Sequence, residues 1–364
     1  MSFVDAKTVL DYLVDLWGKY PTRAQKQRTT ISFYGGEPLL NFPLIQQVIS
    51  YVEDMGLSRH FNYAMTSNCV LLDKYMDYIV EKDFRLVCSL DGDKQADSYR
   101  VSHDGSPSFD KVYNNIKSLM LKYPDYFRRK VGFNSVLHNL NSAKGVCDFI
   151  KREFDIFPRV SSLSTVGVRP DKLEEFKKTF KDVTESFYEA ENYEVLTKEI
   201  GNFNPDAREL MTFLETSLPG VFHSYADLFA GCDCRTWIPT GTCFPFTKKL
   251  FVKVDGKILQ CERIAHRFTL GSVQDGIVNI NPEEIAKKFN SYLDNIQKKC
   301  NICSIKSSCS QCLYRVDGIE TSNPTCKSFM TAKDYESYKS HLLKYLYSHP
   351  HLYGQYINDV LLEL

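Results

Sequence analysis

The sequence has 364 residues, of which 43% are hydrophobic and 25% are charged, and its formal net charge at pH 7 is zero. A chain of this size can bury a substantial core and predicts roughly two or three domains. The zero net charge gives no electrostatic reason to expect nucleic acid or an anionic membrane as a partner, and no apolar run approaches the roughly eighteen residues of a spanning helix. The N-terminus also lacks the features of a signal peptide, so the sequence predicts a cytoplasmic protein.

The first part of the chain predicts strands that alternate with helices. An amphipathic helix from Val4 to about Trp17 comes first, and strand-like runs follow at 29–34, 60–65, 84–90, 130–137 and 159–164. Helical patterns separate them at 43–55, 71–82, 108–122 and 142–154. A strand repeatedly followed by a helix implies an α/β fold with a parallel sheet and right-handed crossovers, closed or partly closed as a barrel.

Polar motifs follow three successive predicted strands. They comprise Gly35, Gly36 and Glu37 after the first strand, Asn68 after the second, and Ser89, Asp91 and Arg100 at and beyond the end of the third. Working residues in such folds lie where strands end, and paired glycines let the backbone approach a ligand closely. A tight turn with a solvated glutamate is the alternative interpretation of the glycine motif alone. Three motifs at neighbouring strand ends favour a ligand site.

Residues 171–230 link the two halves of the chain and contain no chemical motif that we recognise. Apolar side chains recur there at alternating spacings of three and four, which predicts one amphipathic helix that packs against a core or lines a substrate groove. These side chains are Leu173, Phe176, Phe180, Val183 and Phe187.

Seven of the twelve cysteines lie in one block near the C-terminus, at Cys243, Cys261, Cys300, Cys303, Cys309, Cys312 and Cys326. Such density indicates disulfides, zinc or iron–sulfur clusters. Disulfides need an oxidising compartment, and zinc-binding CxxC pairs usually lie about fifteen to twenty residues apart. Only five residues separate Cys303 from Cys309. A cubane of iron and sulfide accepts thiolates from closely spaced loop positions together with a distant one, so the spacing favours iron and sulfide.

The segment LFVKVDGKILQCERI within this block predicts a β-hairpin. Asp255 and Gly256 supply the turn, which places Cys243 and Cys261 near opposite ends of a two-stranded unit. Glu262 follows directly. After Ser328, apolar and aromatic residues at helical spacing predict a C-terminal helix that ends before Pro350.

Together these motifs resemble those of radical S-adenosylmethionine enzymes that have a SPASM extension. FYGGEPLLNF is similar to the motif whose Gly-Gly-Glu turn binds the amino group of S-adenosyl-L-methionine (AdoMet). SLDG followed by SYR is similar to the segment whose Ser and Arg contact the ribose and carboxylate end of that cofactor. The cysteine block looks like the extension that holds two auxiliary [4Fe-4S] clusters.

The resemblance implies a role for each matching residue. Gly35, Gly36, Glu37, Ser89 and Arg100 would bind AdoMet; Cys300, Cys303, Cys309 and Cys326 would hold the second auxiliary cluster; Cys243, Cys261 and Cys312 would hold the first. The fourth iron of this first cluster would either have an open coordination site or be bound by Cys232 or Cys234. Glu262 matches an Asp that serves as the base in sulfatase-maturing relatives, so it is a candidate catalytic acid/base; a solvated strand-end carboxylate is the alternative.

The Cys-x3-Cys-x2-Cys loop that defines the family is not present in this sequence. We therefore expect a partial (β/α)6 TIM-like barrel that lacks its first strand, and a small cysteine-rich iron–sulfur domain after it. The expected ranges are 1–170 for the barrel, 171–230 for the helical linker, 231–335 for the SPASM domain and 336–364 for a helical tail. An unpaired barrel edge would favour poor solubility or pairing with another chain.

The resemblance implies a maturase that modifies a ribosomally synthesised peptide or a target protein by hydrogen abstraction. The product would be a thioether, a carbon–carbon crosslink or an oxidised side chain, and an external electron donor would be a further partner. We expect an N-terminally truncated enzyme, because the Gly-Gly-Glu turn has little reason to persist without its cofactor. The alternative is a non-catalytic partner of a peptide maturase, so the sequence leaves enzymatic activity open.

Overall fold

The structure, a computed structural model, describes residues 1–19, 29–57, 61–102, 104–164, 168–191, 193, 196, 205–217 and 241–354. The chain divides into two compact units. The first comprises Met1–Ile200 with Val273–Val278, and the second comprises Gly201–Ser272 with Asn279–Leu364. Among the described residues, every helix is too short or too polar to cross a membrane.

The first unit contains a curled, five-stranded parallel sheet that forms a half-barrel. Its strands are paired in chain order, with β1 at one edge. They are β1 (Thr29–Phe33), β2 (Phe61–Ser67), β3 (Arg85–Ser89), β4 (Val131–Leu137) and β5 (Arg159–Ser162). The predicted α/β partial barrel is therefore confirmed. Because all five strands are parallel, their carboxyl ends meet at one edge of the sheet.

One helix precedes the strands of the half-barrel, and the others connect them. They are α1 (Phe3–Lys19), α2 (Phe42–Asp54), α3 (Leu72–Glu81), α4 (Phe109–Lys122), α5 (Pro124–Lys130) and α6 (Ala143–Phe154). The short helix α5 was not predicted. Alternate residues of β2 and β4 are buried, and the core between sheet and helices includes fully buried Ile49, Leu86 and Ile116. Ser142 begins α6 by accepting a hydrogen bond from the Gly145 amide.

The prediction of a single amphipathic helix over Leu173–Phe187 is wrong. The structure has two short helices, α7 (Leu173–Thr179) and α8 (Val183–Tyr188). Between them Phe180 is extended and forms an antiparallel bridge with His138. The Asp182 carboxylate then accepts hydrogen bonds from the first amides of α8 and caps it. A nonlocal bridge and a strong cap therefore interrupt the helical pattern.

The described α-helices of the second unit are α9 (Pro205–Ser217), α10 (Pro282–Asn301) and α11 (Ala332–Ser348). The predicted hairpin is formed by β6 (Phe251–Val252) and β7 (Lys257–Leu259). Two further strands, β8 (Thr269–Gln274) and β9 (Ile277–Ile280), include residues assigned to both units. The strands form one sheet in the order β6-β7-β8-β9. Gly256, with φ +80°, makes the turn between β6 and β7. Leu210 and Phe213 of α9 pack in one buried cluster with Leu342 and Tyr345 of α11.

Candidate functional site

The turn after β1 has a backbone conformation that requires glycine. Gly35 has φ +101° and Gly36 has φ +50°, and both values lie in regions that side chains with a β-carbon disfavour. Glu37 follows in extended conformation and caps the short 3-10 helix Pro38–Asn41. The two glycines thus reverse the chain where β1 ends and direct Glu37 back to the sheet.

The Glu37 carboxylate joins the ends of β1 and β2. Its Oε1 accepts hydrogen bonds from Ser67 Oγ at 2.9 Å and from the Leu39 amide at 3.0 Å. Its Oε2 accepts one from the Asn68 amide at 2.7 Å. The structure therefore brings together Glu37 and Asn68, two residues that the sequence singled out. Ser67, at the last position of β2, is an additional partner in this network.

Arg100 is held by an acidic residue at the end of β3. Its Nε lies 2.7 Å from Asp91 Oδ2, and its Nη2 lies 2.9 Å from Asp91 Oδ1. Asp91 Oδ1 also accepts a hydrogen bond from the Val136 amide on β4, at 2.7 Å. Two of the three guanidinium nitrogens are thus bound by Asp91. Ser89, half-buried, is the last residue of β3.

Asp97 completes this acidic group and was missed by sequence reasoning. Its side chain is fully buried, Oδ1 accepts a hydrogen bond from the Asp91 amide at 2.9 Å, and Arg100 Nε is 3.5 Å away. No described residue donates to its Oδ2. Burial raises the pKa of Asp97 to about 7 despite the Asp91 amide and Arg100, which both favour the anion. In the sequence QADSYR, this residue reads as an ordinary solvated aspartate.

Further polar residues surround the same strand ends. Asn141 Nδ2 donates to the backbone oxygens of Asp91 and Val136, each at 3.0 Å, and so links β3 to β4. His138 is buried with its ring edge-on to Tyr99 at 4.8 Å between centroids. Burial lowers the pKa of His138 and so favours its neutral ring. The carboxyl edge of the sheet therefore combines a carboxylate, a guanidinium and several fixed amides.

Four of the predicted cluster cysteines line one cavity in the second unit. Cys300 lies in the last turn of α10, and Cys303, Cys309 and Cys326 come from the loops that follow it. Burial raises the pKa of Cys300 to about 11, and the neighbouring thiolates of Cys309, Cys326 and Cys303 add to this effect. The four cysteines therefore share the lining of one cavity.

The chemistry of this set fits an iron–sulfur group. Among the described residues, no three His, Cys, Asp or Glu side chains are grouped as ligands for a metal ion. Four cysteines nevertheless line one cavity. Partly buried thiolates repel one another and need nearby cations to remain deprotonated. A cubane is wider than one ion and binds four thiolates, so these residues fit that group better than a single zinc.

The other three cysteines of the block lie on segments joined by hydrogen bonds. The Gln260 side chain, next to Cys261, donates to the Cys243 backbone oxygen. The Leu313 amide, next to Cys312, donates to Thr242 Oγ1 at 2.7 Å, and Tyr314 OH donates to Gln260 Oε1 at 3.0 Å. The structure thus brings these segments together. Cys232 and Cys234 lie outside the described residues.

Gly241 lies in close contact with the loop between Cys309 and Cys312. A β-carbon at this position would be 2.6 Å from the Ser310 backbone oxygen, which is far below van der Waals contact. The Gly241 amide also donates to the Gln311 oxygen at 3.0 Å. Only glycine allows this approach. It places the chain leading to Cys243 against the loop that holds two cysteines of the block.

Glu262 forms an ion pair with Lys249 at the end of the hairpin. Lys249 Nζ lies 2.9 Å from both carboxylate oxygens, and Cys261 Sγ donates to Oε2 at 3.5 Å. Burial is the largest influence and acts to raise the pKa of Glu262, but the hydrogen bond and charge of Lys249, with the hydrogen bonds from the backbone and Cys261, together lower it. Glu262 is therefore a partly buried carboxylate next to Cys261, in an environment that favours its ionised form.

Sequence comparisons find relatives for part of the chain. No protein-family model matches. An uncharacterized protein of Methanocaldococcus jannaschii is 35% identical over 109 residues, which are 30% of this chain and 35% of that protein. The radical SAM cyclopropyl synthase TigE of Paramaledivibacter caminithermalis is 26% identical over 159 residues, which are 43% of this chain and 31% of that enzyme. The chain spans about a third of the length of each relative.

Structural comparison extends the likeness over most of the chain. The structure of native anSMEcpe with bound AdoMet and Kp18Cys peptide matches with a TM-score of 0.50 and 17% identity, covering 90% of this chain and 85% of that one. Native anSMEcpe with bound AdoMet matches with a TM-score of 0.52 and 16% identity, covering 93% and 88%. At such identities the match shows the fold alone. The resemblance inferred from the sequence is confirmed at that level: this chain has a half-barrel fold similar to that of anSMEcpe, with a cysteine-rich C-terminal region.

Proposed function

We propose that this chain binds AdoMet and auxiliary iron–sulfur clusters and acts as a radical SAM maturase that modifies a ribosomally synthesised peptide or a target protein. The observation that supports this proposal most strongly is the convergence of Cys300, Cys303, Cys309 and Cys326 on one cavity. It occurs in a chain whose fold matches that of proteins with bound AdoMet. Free thiols that bind metal need a reducing compartment, so we place the protein in the cytoplasm.

AdoMet would bind at the carboxyl edge of the half-barrel. Its amino acid end is a zwitterion, which needs a carboxylate for the ammonium and a guanidinium for the carboxylate. Glu37 supplies the first, beside the open backbone of Gly35 and Gly36. Arg100 supplies the second, because Asp91 binds only its Nε and Nη2. Ser89, at the end of β3, is a candidate for the ribose.

The cysteine block would hold two auxiliary [4Fe-4S] clusters. Cys300, Cys303, Cys309 and Cys326 form one complete ligand set. Cys243, Cys261 and Cys312 form a second set that lacks a fourth thiolate within the described residues. Such clusters supply sites that accept an electron or bind a substrate thiolate, and an incomplete set would suit a cysteine-containing peptide. The anSMEcpe structure with a Kp18Cys peptide supports a peptide as the substrate class.

Glu262 is the proposed acid/base. Lys249 keeps it ionised, so it can accept a proton from a substrate that reaches the hairpin end. The modification would follow hydrogen abstraction from the peptide and yield a thioether, a carbon–carbon crosslink or an oxidised side chain. An external donor would supply electrons.

A non-catalytic partner of a peptide maturase is the second candidate. The observation that favours it is the lack of a Cys-x3-Cys-x2-Cys run anywhere in this sequence. The genomic sequence upstream of the Met1 codon discriminates between the two candidates. An in-frame run of this type there supports the enzyme, and its absence supports the partner.

Iron and sulfide analysis after anaerobic reconstitution tests the cluster proposal. We expect about eight irons per chain for the wild-type protein and about four after Cys309→Ala or Cys326→Ala. Cys147→Ala is the matched control, because Cys147 is a buried thiol in α6 of the first unit and its loss should leave the iron content unchanged. A colourless protein, or one that binds one or two zinc ions, would contradict the proposal.

A further inference from the structure

Two lysines line the same cavity as Cys300, Cys303, Cys309 and Cys326. They are Lys299 and Lys306, both half-buried. The Lys299 ammonium donates a hydrogen bond to the Pro324 backbone oxygen, which holds it beside the loop that leads to Cys326. The Lys306 amide donates to the Cys303 oxygen at 3.3 Å, which holds that residue between Cys303 and Cys309.

The two lysines are the charged side chains in the lining of this cavity. Among the described residues, no carboxylate lines it. Two lysines therefore share the lining of this cavity with the four cysteines.

We propose that Lys306, together with Lys299, raises the reduction potential of the iron–sulfur group held by Cys300, Cys303, Cys309 and Cys326. This inference rests on the proposed function. Addition of one electron from a reductant makes the group and its four thiolates one unit more negative. A cation in a poorly solvated site stabilises the more negative state, so reduction becomes more favourable.

Lys327 provides a matched contrast. It directly follows Cys326 in the chain, but its side chain is 80% exposed and lies 3.5 Å from the Asp317 carboxylate. Solvent and this carboxylate screen its charge, and it does not line the cavity. A lysine that is merely adjacent to a ligand cysteine in the sequence should therefore not change the reduction potential. The proposed effect on the potential depends on burial of the lysine beside the thiols.

Potentiometric titration with dithionite, followed by electron paramagnetic resonance, tests the inference. The signal that is lost in Cys326→Ala identifies the group concerned. We expect K306Q and K299Q to shift its midpoint potential to more negative values, K306R to restore the wild-type value, and K327Q to leave it unchanged. Equal potentials for K306Q, K299Q and K327Q, at equal iron content, would overturn the inference.

The outcomes also separate this inference from the proposed function. If the wild-type protein binds no iron, the proposed function fails, and no variant needs to be compared. If K306Q loses iron and K299Q does not, the midpoint potential of K299Q is compared with that of the wild type instead. An unchanged potential in K299Q would overturn the proposed role of the lysines and would leave the cluster proposal intact.

Discussion

Arg100 and Asp91 form a forked ion pair at the end of β3, with contacts of 2.7 and 2.9 Å. The carboxylate is also bound by the Val136 amide of β4, and Asn141 binds the Asp91 backbone oxygen. The guanidinium is therefore oriented by the half-barrel itself, before any ligand arrives. A fixed guanidinium loses little conformational entropy when it binds a carboxylate, which favours its proposed role toward AdoMet.

Asp91→Asn is expected to destabilise the half-barrel. Asp91 is buried, and the substitution leaves the Arg100 guanidinium without its anion while it keeps the side chain's size. We expect the free energy of unfolding to fall by about 2–4 kcal/mol in urea titrations. Asp110→Asn is the control, because Asp110 pairs with Lys94 at an exposed position and should contribute less than about 1 kcal/mol. Equal losses in both variants would contradict the importance of the fork.

Asp97 is expected to make the stability of the protein depend on pH. The folded protein retains the Asp97 proton up to a pKa of about 7, whereas the ordinary value is 3.8. Between these values the unfolded chain binds fewer protons, so the free energy of unfolding decreases as pH rises, by about 1.4 kcal/mol per pH unit at most. Asp97→Asn should remove this decrease between about pH 4 and 7. Parallel urea-unfolding profiles for variant and wild type across that range would show the prediction to be wrong.

Gly35 and Gly36 should differ in their tolerance of alanine. A β-carbon added at either position would have no atom within 4 Å of it, so only backbone strain matters. Gly36, at φ +50°, is in the left-handed region, and alanine there should cost about 1 kcal/mol of unfolding free energy. Gly35, at φ +101°, lies outside the left-handed region, so alanine there should lower the free energy of unfolding by about 2–3 kcal/mol.

Gly132→Ala is the control for these two substitutions. Gly132 lies in β4, has an ordinary negative-φ backbone and also has open space around its β-carbon position. Alanine there should be neutral or slightly stabilising in the same urea titrations. If all three substitutions cost the same, backbone strain at the turn is not the cause.

Glu37→Gln is expected to weaken AdoMet binding measured by isothermal titration calorimetry. The substitution removes the negative charge proposed for the cofactor's ammonium, and it places an amide where an amide or hydroxyl donor already points. We expect the affinity to fall at least about tenfold, which corresponds to about 1.4 kcal/mol. Ser67→Ala removes one donor to Glu37 but keeps the charge, so its affinity should stay close to wild type. Equal losses in both variants would indicate a structural role alone.

The sequence predicts the half-barrel well because each strand and helix has its own period of apolar residues. The helix predicted at 142–154 is observed as Ala143–Phe154, and the strand predicted at 130–137 as Val131–Leu137. Parallel pairing in chain order follows from the repeated crossovers. The break at Phe180 could not be predicted in this way, since it depends on a bridge to His138 that no local pattern records.

The candidate site is predicted in part, for a related reason. Glycine pairs and cysteine spacing are visible in the sequence, so Gly35, Gly36 and the four-cysteine set could be named. Asp97 could not, because its burial depends on tertiary contacts with Asp91 and Arg100. Lys306 and Lys327 each lie near a cysteine in the sequence, and only the structure shows that Lys306 lines the cavity.

The close approach of Gly241 to Ser310 has a consequence for resistance to oxygen and chelators. The backbone that precedes Cys243 packs directly on the loop between Cys309 and Cys312, so neither thiol set can loosen without moving the other. We expect each proposed cluster to assemble separately, in keeping with the iron counts expected for the cysteine variants. Oxygen or a chelator that removes one of them should then speed the loss of iron from the other.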